Sequence, residues 1–168
     1  MPLIKNGRAA SDPWVFYADD APLQPDIPAV VSLPRFRAER AGLVPAGLDL
    51  GVRVAPQEGP EALADDLHRL GLVELDFPAF TDGRGYSTAR LLRQRYGYTG
   101  EIRAVGQVLR DQALFMLRAG INAFQIPAGE TADDWLAAIA AVRSAYQPAS
   151  DGRAPIWYLR AKRAAAAQ

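Results

Sequence analysis

The chain has no cysteine and a single histidine. The first absence excludes disulfides, cysteine-ligated iron–sulfur clusters, thiol redox chemistry and thiolate nucleophiles carried by these residues. The second leaves no paired-ligand motif for a transition metal, so no metal site is expected. Serine–histidine catalysis is disfavoured too, because no GxSxG elbow occurs. His68 follows Leu67 in a stretch whose apolar positions are Leu63, Leu67 and Leu70, which puts it at the surface or its boundary.

No apolar run approaches the ~20 residues needed to cross a bilayer, and no charged-then-apolar leader opens the sequence. No membrane association is expected, and a cytoplasmic protein is. Net charge is lacking as well: 19 basic residues balance 19 acidic ones, so no overall field draws the chain onto nucleic acid. There is no GxxxxGK[ST] loop. The pair Gly83 and Gly85 does not extend to a dinucleotide fingerprint, since Thr88 stands where a third glycine would be needed. No cofactor is therefore expected.

What is present is arginine and a strand–helix rhythm. With lysine only at Lys5 and Lys162, the other 17 of the 19 basic residues are arginine. At 168 residues and 49% hydrophobic composition, the chain can bury one substantial core, which predicts a single domain. Residues 1–28 read as a β-hairpin and connector, 29–146 as a βα core and 147–168 as an extension. Asn6-Gly7 marks the hairpin turn, with Trp14 to Tyr17 as its returning strand.

Strands are predicted at Val30–Leu33, Gly51–Val54, Leu72–Phe77, Glu101–Val105 and Ala123–Ile126, with a short one at Ile156–Leu159. Helices follow Pro34 and Pro60, run from Thr88 to Tyr96 and from Gln107 to Ala119, and open at the Thr131/Asp134 capping box. Five strands alternating with helices imply about five parallel βα units. The favoured arrangement is a three-layer α/β/α sandwich with the N-terminal hairpin attached; the alternative is a partial (βα) barrel. Arg53, Glu74, Asp76, Arg103 and Gln125 interrupt otherwise apolar strands, which fits a barrel-like layer or strand ends at a cleft. Asp76 and Arg103 could neutralise each other there, the simplest reading being a structural ion pair.

The richest stretch is Asp82-Gly83-Arg84-Gly85-Tyr86-Ser87. Its glycines would bring backbone amides close to a ligand, and Ser87 would cap the following helix, with Tyr86 and Leu91 as a hydrophobic staple. Arg84 lies in the loop, and Arg90 and Arg93 share a helix face at i, i+3. A guanidinium fork fits a carboxylate, phosphate, sulfate or sulfite. The candidate anion site therefore comprises Asp82, Gly83, Arg84, Gly85, Tyr86, Ser87, Arg90 and Arg93. Arg103 and the trio Arg110, Asp111 and Gln112 join it from the next βα unit. The alternative is that Ser87 only caps, the glycines only turn and the arginines lie on a solvated face.

These residues also carry a resemblance. Phe77-Pro78-Ala79-Phe80 through Ser87, Ala89 to Arg93, Gly100 to Gly106 and Val108 to Gln112 resemble the signature of the bacterial domain-of-unknown-function family nine-three-four. The likeness continues through Ala123-Phe124 and back to Asn6-Gly7 and Trp14. Two departures stand out: Ala79 where lysine is common and Gln107 where an acid is common. Members are uncharacterised and sometimes labelled oxidoreductases, and their genes commonly neighbour sulfite reductase and other enzymes of assimilatory sulfate reduction. The resemblance thus implies an accessory or binding protein of sulfite reduction, docking on the reductase or handling its oxyanion. It supplies no catalytic residues. Two other functions stay open: an enzyme on a small anion, with Asp82, Asp76 or Asp111 as acid/base and Arg84, Arg90 or Arg103 as clamp, and a structural subunit whose arginines make interface salt bridges. The oligomeric state is not legible.

Overall fold

A computed structural model describes residues 2–43, 49–142 and 144–166. Eight strands form one sheet: β1 (Leu3–Lys5), β2 (Arg8–Ala10), β3 (Val15–Phe16), β4 (Ala29–Ser32), β5 (Leu50–Val54), β6 (Leu70–Phe77), β7 (Glu101–Gly106) and β8 (Ala123–Gln125). Its order is β2-β1-β8-β7-β6-β5-β4-β3. From β3 to β8 each strand pairs in parallel with its neighbour in sequence, while β1 and β2 continue the sheet antiparallel from β8.

That order settles which α/β arrangement forms. When strands are laid down consecutively in one direction, right-handed crossovers all fall on the same face. A sandwich needs the order to reverse, so that helices cover both faces. No reversal occurs, and the sheet curls into a half-barrel, the partial-barrel alternative. The covering helices are α1 (Leu33–Leu43), α2 (Arg84–Gln94), α3 (Ala113–Ala119) and α4 (Ala132–Ala141), with short 3₁₀ turns at Pro60–Leu63, Leu67–Arg69 and Arg110–Gln112. Beneath them lies one core, including Val52, Val73, Leu75, Phe77, Ile102, Ala104, Phe124 and Trp135. Among the described residues no helix is long and apolar enough to cross a membrane.

Local chemistry moved several boundaries. The segment after Pro60 makes two 3₁₀ turns rather than a helix, and the helix expected from Gln107 begins only at Ala113. Ser87 does not cap α2: the helix starts three residues earlier, because Asp82 Oδ1 accepts from the Arg84 amide at 3.1 Å. Tyr86, now inside the helix, meets Phe77 edge-on at 5.9 Å instead of stapling to Leu91, which is exposed. The hairpin closes earlier than expected, with Arg8–Ala10 as its return, and Val15–Phe16 is instead the parallel edge strand β3. Residues 156–159 are the start of helix α5 (Ile156–Ala165), not a strand: the alanine-rich continuation favours helix over their aromatic β-propensity. Thr131 caps α4 as expected, its Oγ1 accepting from the Asp134 amide. Helix α4 ends at Ala141, and Arg143 lies outside the described residues.

Candidate functional site

The half-barrel has two faces with different chemistry. On the face away from the helices, Arg53, Glu74 and Arg103 stand in register on β5, β6 and β7, alternating in sign across the sheet. Arg53 Nε donates to Glu74 Oε2 at 2.8 Å, and Arg103 Nη1 lies 3.5 Å from Glu74 Oε1. Arg103 Nε donates to Glu101 Oε1 at 2.8 Å, and Lys5 Nζ lies 2.7 Å from Glu101 Oε2. The chain between β2 and β3 then crosses this face. Asp12 takes two bonds from Arg103 Nη1, at 3.0 and 2.9 Å, and the Phe16 ring lies under the Arg53 guanidinium at 3.7 Å.

Three cations (Lys5, Arg53, Arg103) thus face three carboxylates (Asp12, Glu74, Glu101). Burying charge in strands is tolerable because each is paired. The same pairing leaves no surplus charge for an anion. Asp76 takes no part: its register partner is Val105, and the Asp76–Arg103 pair anticipated from the sequence does not form, since Asp12 and Glu101 hold Arg103 instead.

The outer site is built by α2, α3 and the loop after α4. A cleft of about 410 Å³ on this side is lined by Tyr86, Ser87, Arg90 and Gln94 of α2, with Arg118 and Ser150 opposite. Positions 86, 87, 90 and 94 recur at helical spacing and so share one face. The loop is pinned on both sides. Gln94 Nε2 donates to Ser150 Oγ at 3.0 Å, and the Ser150 amide donates to Arg118 O at 3.0 Å. Arg118 Nη1 reaches Asp151 at 2.9 Å, and its Nη2 donates to Gln147 O.

Charge is not balanced here. Arg90 Nε donates to the neutral amide oxygen of Gln94 at 2.9 Å and, among the described residues, has no carboxylate partner. Arg118 shares Asp151 with Arg153, at 2.9 and 3.6 Å, so two guanidiniums divide one carboxylate. Burial raises the Tyr86 hydroxyl above its ordinary value, and the charge of Asp111 raises it further. Tyr86 is therefore a neutral hydrogen-bonding group at the cleft at physiological pH.

Three of the anticipated residues, Tyr86, Ser87 and Arg90, come together in this cleft. Asp82 and Arg84 pair with each other ahead of α2 (2.6 Å from Arg84 Nη2 to Asp82 Oδ2); that bond holds the Asp82 carboxyl at about 2, well below the ordinary range. Gly85 serves packing: a Cβ there would sit 2.5 Å from Phe77 Cζ, so glycine lets α2 approach β6. Gly83 precedes α2 in an ordinary right-handed conformation.

Arg93 points away from Arg90 and donates to Tyr98 O, Gly100 O, Gly120 O and Asn122 Oδ1, tethering three segments. Arg103 is on the other face. Arg110 and Asp111 are exposed in a 3₁₀ turn, and Gln112 Nε2 donates to Phe80 O at 3.1 Å, tying that turn to the loop after β6. Arg118 and Ser150 were missed, because nothing local in the sequence shows that residues 147–151 fold back onto α2.

Residues 51–157 match a family model described as "Bacterial protein of unknown function (DUF934)"; the hairpin and β3 lie outside the matched residues. No curated protein matches the chain.

Proposed function

Since the chain belongs to the bacterial DUF934 family of unknown function, we propose that it is a cytoplasmic accessory protein that binds a small oxyanion in the α2–α3 cleft. The observation that carries this reading is Arg90, a guanidinium lining a cleft without a carboxylate partner among the described residues. Ser87 and Tyr86 add hydroxyls on the same helix face, and Arg118 adds a second guanidinium whose acid is already shared. Such a set offers planar, charge-assisted donors to a tetrahedral or pyramidal anion.

No carboxylate is among the residues lining the cleft, which favours binding over acid–base turnover. The family resemblance directs the choice of anion to sulfite or sulfate, and the choice of docking partner to sulfite reductase.

Calorimetric titration with sulfite, sulfate and phosphate tests the site. Charge-assisted bonds contribute about 1.5–3 kcal/mol each, so Arg90→Ala is expected to weaken binding about tenfold or more. Arg84→Ala, whose guanidinium is occupied by Asp82 outside the cleft, is expected to leave affinity unchanged. Heat absent for all three anions, or equal affinities for wild type and Arg90→Ala, would overturn the proposal. Pull-down from cells growing on sulfate tests the partner separately.

A further inference from the structure

Among the described residues helix α5 fully buries none of its side chains, and only Ile156 at its start is half-buried. Trp157 is 53% exposed, Tyr158 50% and Leu159 41%. Being consecutive, these three project about 100° apart, so the first turn of the helix is apolar around more than half its circumference before Arg160, Lys162 and Arg163 follow. A flat surface, a bilayer included, covers one face of a helix. An apolar collar needs a concave partner.

A concave apolar surface begins where α5 begins. The Ile156 amide donates to Ala145 O at 2.8 Å, and Ala145 lines a groove of about 360 Å³ with Leu114, Phe115, Val142 and Tyr146. Phe115 is 65% exposed and Tyr146 75%, so the chain's own α5 leaves the groove open. At ~200 Å² per aromatic side chain, the exposed fractions of Trp157, Tyr158, Phe115 and Tyr146 with Val142 and Leu159 come to roughly 600 Å² of exposed apolar surface. Two copies related by a two-fold axis, each inserting its helix into the other's groove, would cover about twice that area. This reaches the ~1,200 Å² at which specific interfaces begin.

We infer that the chain forms a two-fold dimer in which α5 of each copy seats its Trp157–Leu159 collar in the partner's Phe115–Tyr146 groove. Neither surface is covered within the described residues of one chain. Tyr86, Ser87 and Arg90 take no part in this contact; Arg118 and Gln147 line both the groove and the anion cleft, and neither is changed in the test below.

Sedimentation equilibrium on the full chain at micromolar concentrations tests it. A dimer is expected. Trp157→Lys and Phe115→Glu, both at exposed positions, are each expected to weaken self-association about thirtyfold or more with an unchanged circular dichroism spectrum. Mixing the two variants is expected to restore a dimer, because one of its two seats is then native and the other pairs Lys with Glu. A monomeric wild type overturns the inference, including one that sediments with anionic phospholipid vesicles, which assigns the collar to a membrane. A dimer insensitive to both variants, or variants that do not complement on mixing, overturns it equally.

Discussion

Arg103 and Arg90 lie on opposite sides of the same sheet and meet different company. Arg103 is 1% exposed and held by Asp12, Glu74 and Glu101, while Arg90 is exposed and, among the described residues, bonds the amide of Gln94 alone. A buried guanidinium must be neutralised or the strand carrying it cannot stay in the sheet, so its carboxylates are a condition of folding. Solvent screens an exposed guanidinium, and its donors remain available to a ligand. The comparison teaches that the arginine content of this chain divides into two uses: pairing inside the curl and surplus outside it. Removing inner charge should cost stability, and removing outer charge should cost only binding.

The sharpest way to break that division is Arg103→Met. The remaining ions re-pair as Arg53 with Glu74 and Lys5 with Glu101, which leaves Asp12 as the unmatched charge. Losing one partner from a buried network costs about 3–5 kcal/mol, and urea unfolding should read a loss in that range. Asp12→Asn in the same background is expected to return part of it, because the leftover charge is then gone. A loss below about 1 kcal/mol would mean that water already reaches the inner face and that the two arginine sets do not differ in kind.

A smaller effect is expected at Tyr98, a neutral group on the structural side of the division. It is buried, and its hydroxyl donates to Leu70 O at 3.0 Å beside the Arg93 tether. Burial raises its pKa well above the ordinary 10. The folded state therefore keeps the proton where the unfolded chain loses it, so this stabilisation is whole below pH 10 and declines as pH rises above it. Tyr98→Phe should cost about 1 kcal/mol at neutral pH and flatten the alkaline limb of the stability profile. An unchanged limb would place the alkaline-sensitive group elsewhere.

How far the sequence reaches follows the same line. The parallel βα order, the curled alternative and the charges on one face of β6 were legible, because periodicity and alternation are local. The choice between sandwich and half-barrel was not, since it depends on strand order. The pairing of Arg103 with Asp12 spans 91 positions, and no local pattern carries such a distance. At the outer site Tyr86, Ser87 and Arg90 were readable as one helix face once the helix was placed. Arg93 was misassigned with them because i, i+3 spacing fixes a neighbourhood but not the direction of a long side chain, and four oxygens around Gly120 and Tyr98 draw it away. Gly85 was read as a ligand-approach glycine when its constraint is the Phe77 ring.

The smallest change in stability is expected at the residue with the largest expected effect on binding. Arg90→Ala removes one bond to Gln94 on a solvated helix surface, and alanine has the higher helix propensity of the two. Those terms oppose each other, so the unfolding free energy should stay within about 0.5 kcal/mol of wild type. Gln94 keeps its bond to Ser150, which holds the cleft's far wall in place. Stability unchanged with anion affinity reduced is the pattern that separates a surplus guanidinium from a structural one. If urea unfolding showed Arg90→Ala losing as much as Arg103→Met, the outer arginine would be part of the scaffold, and the distinction between the two faces would fail.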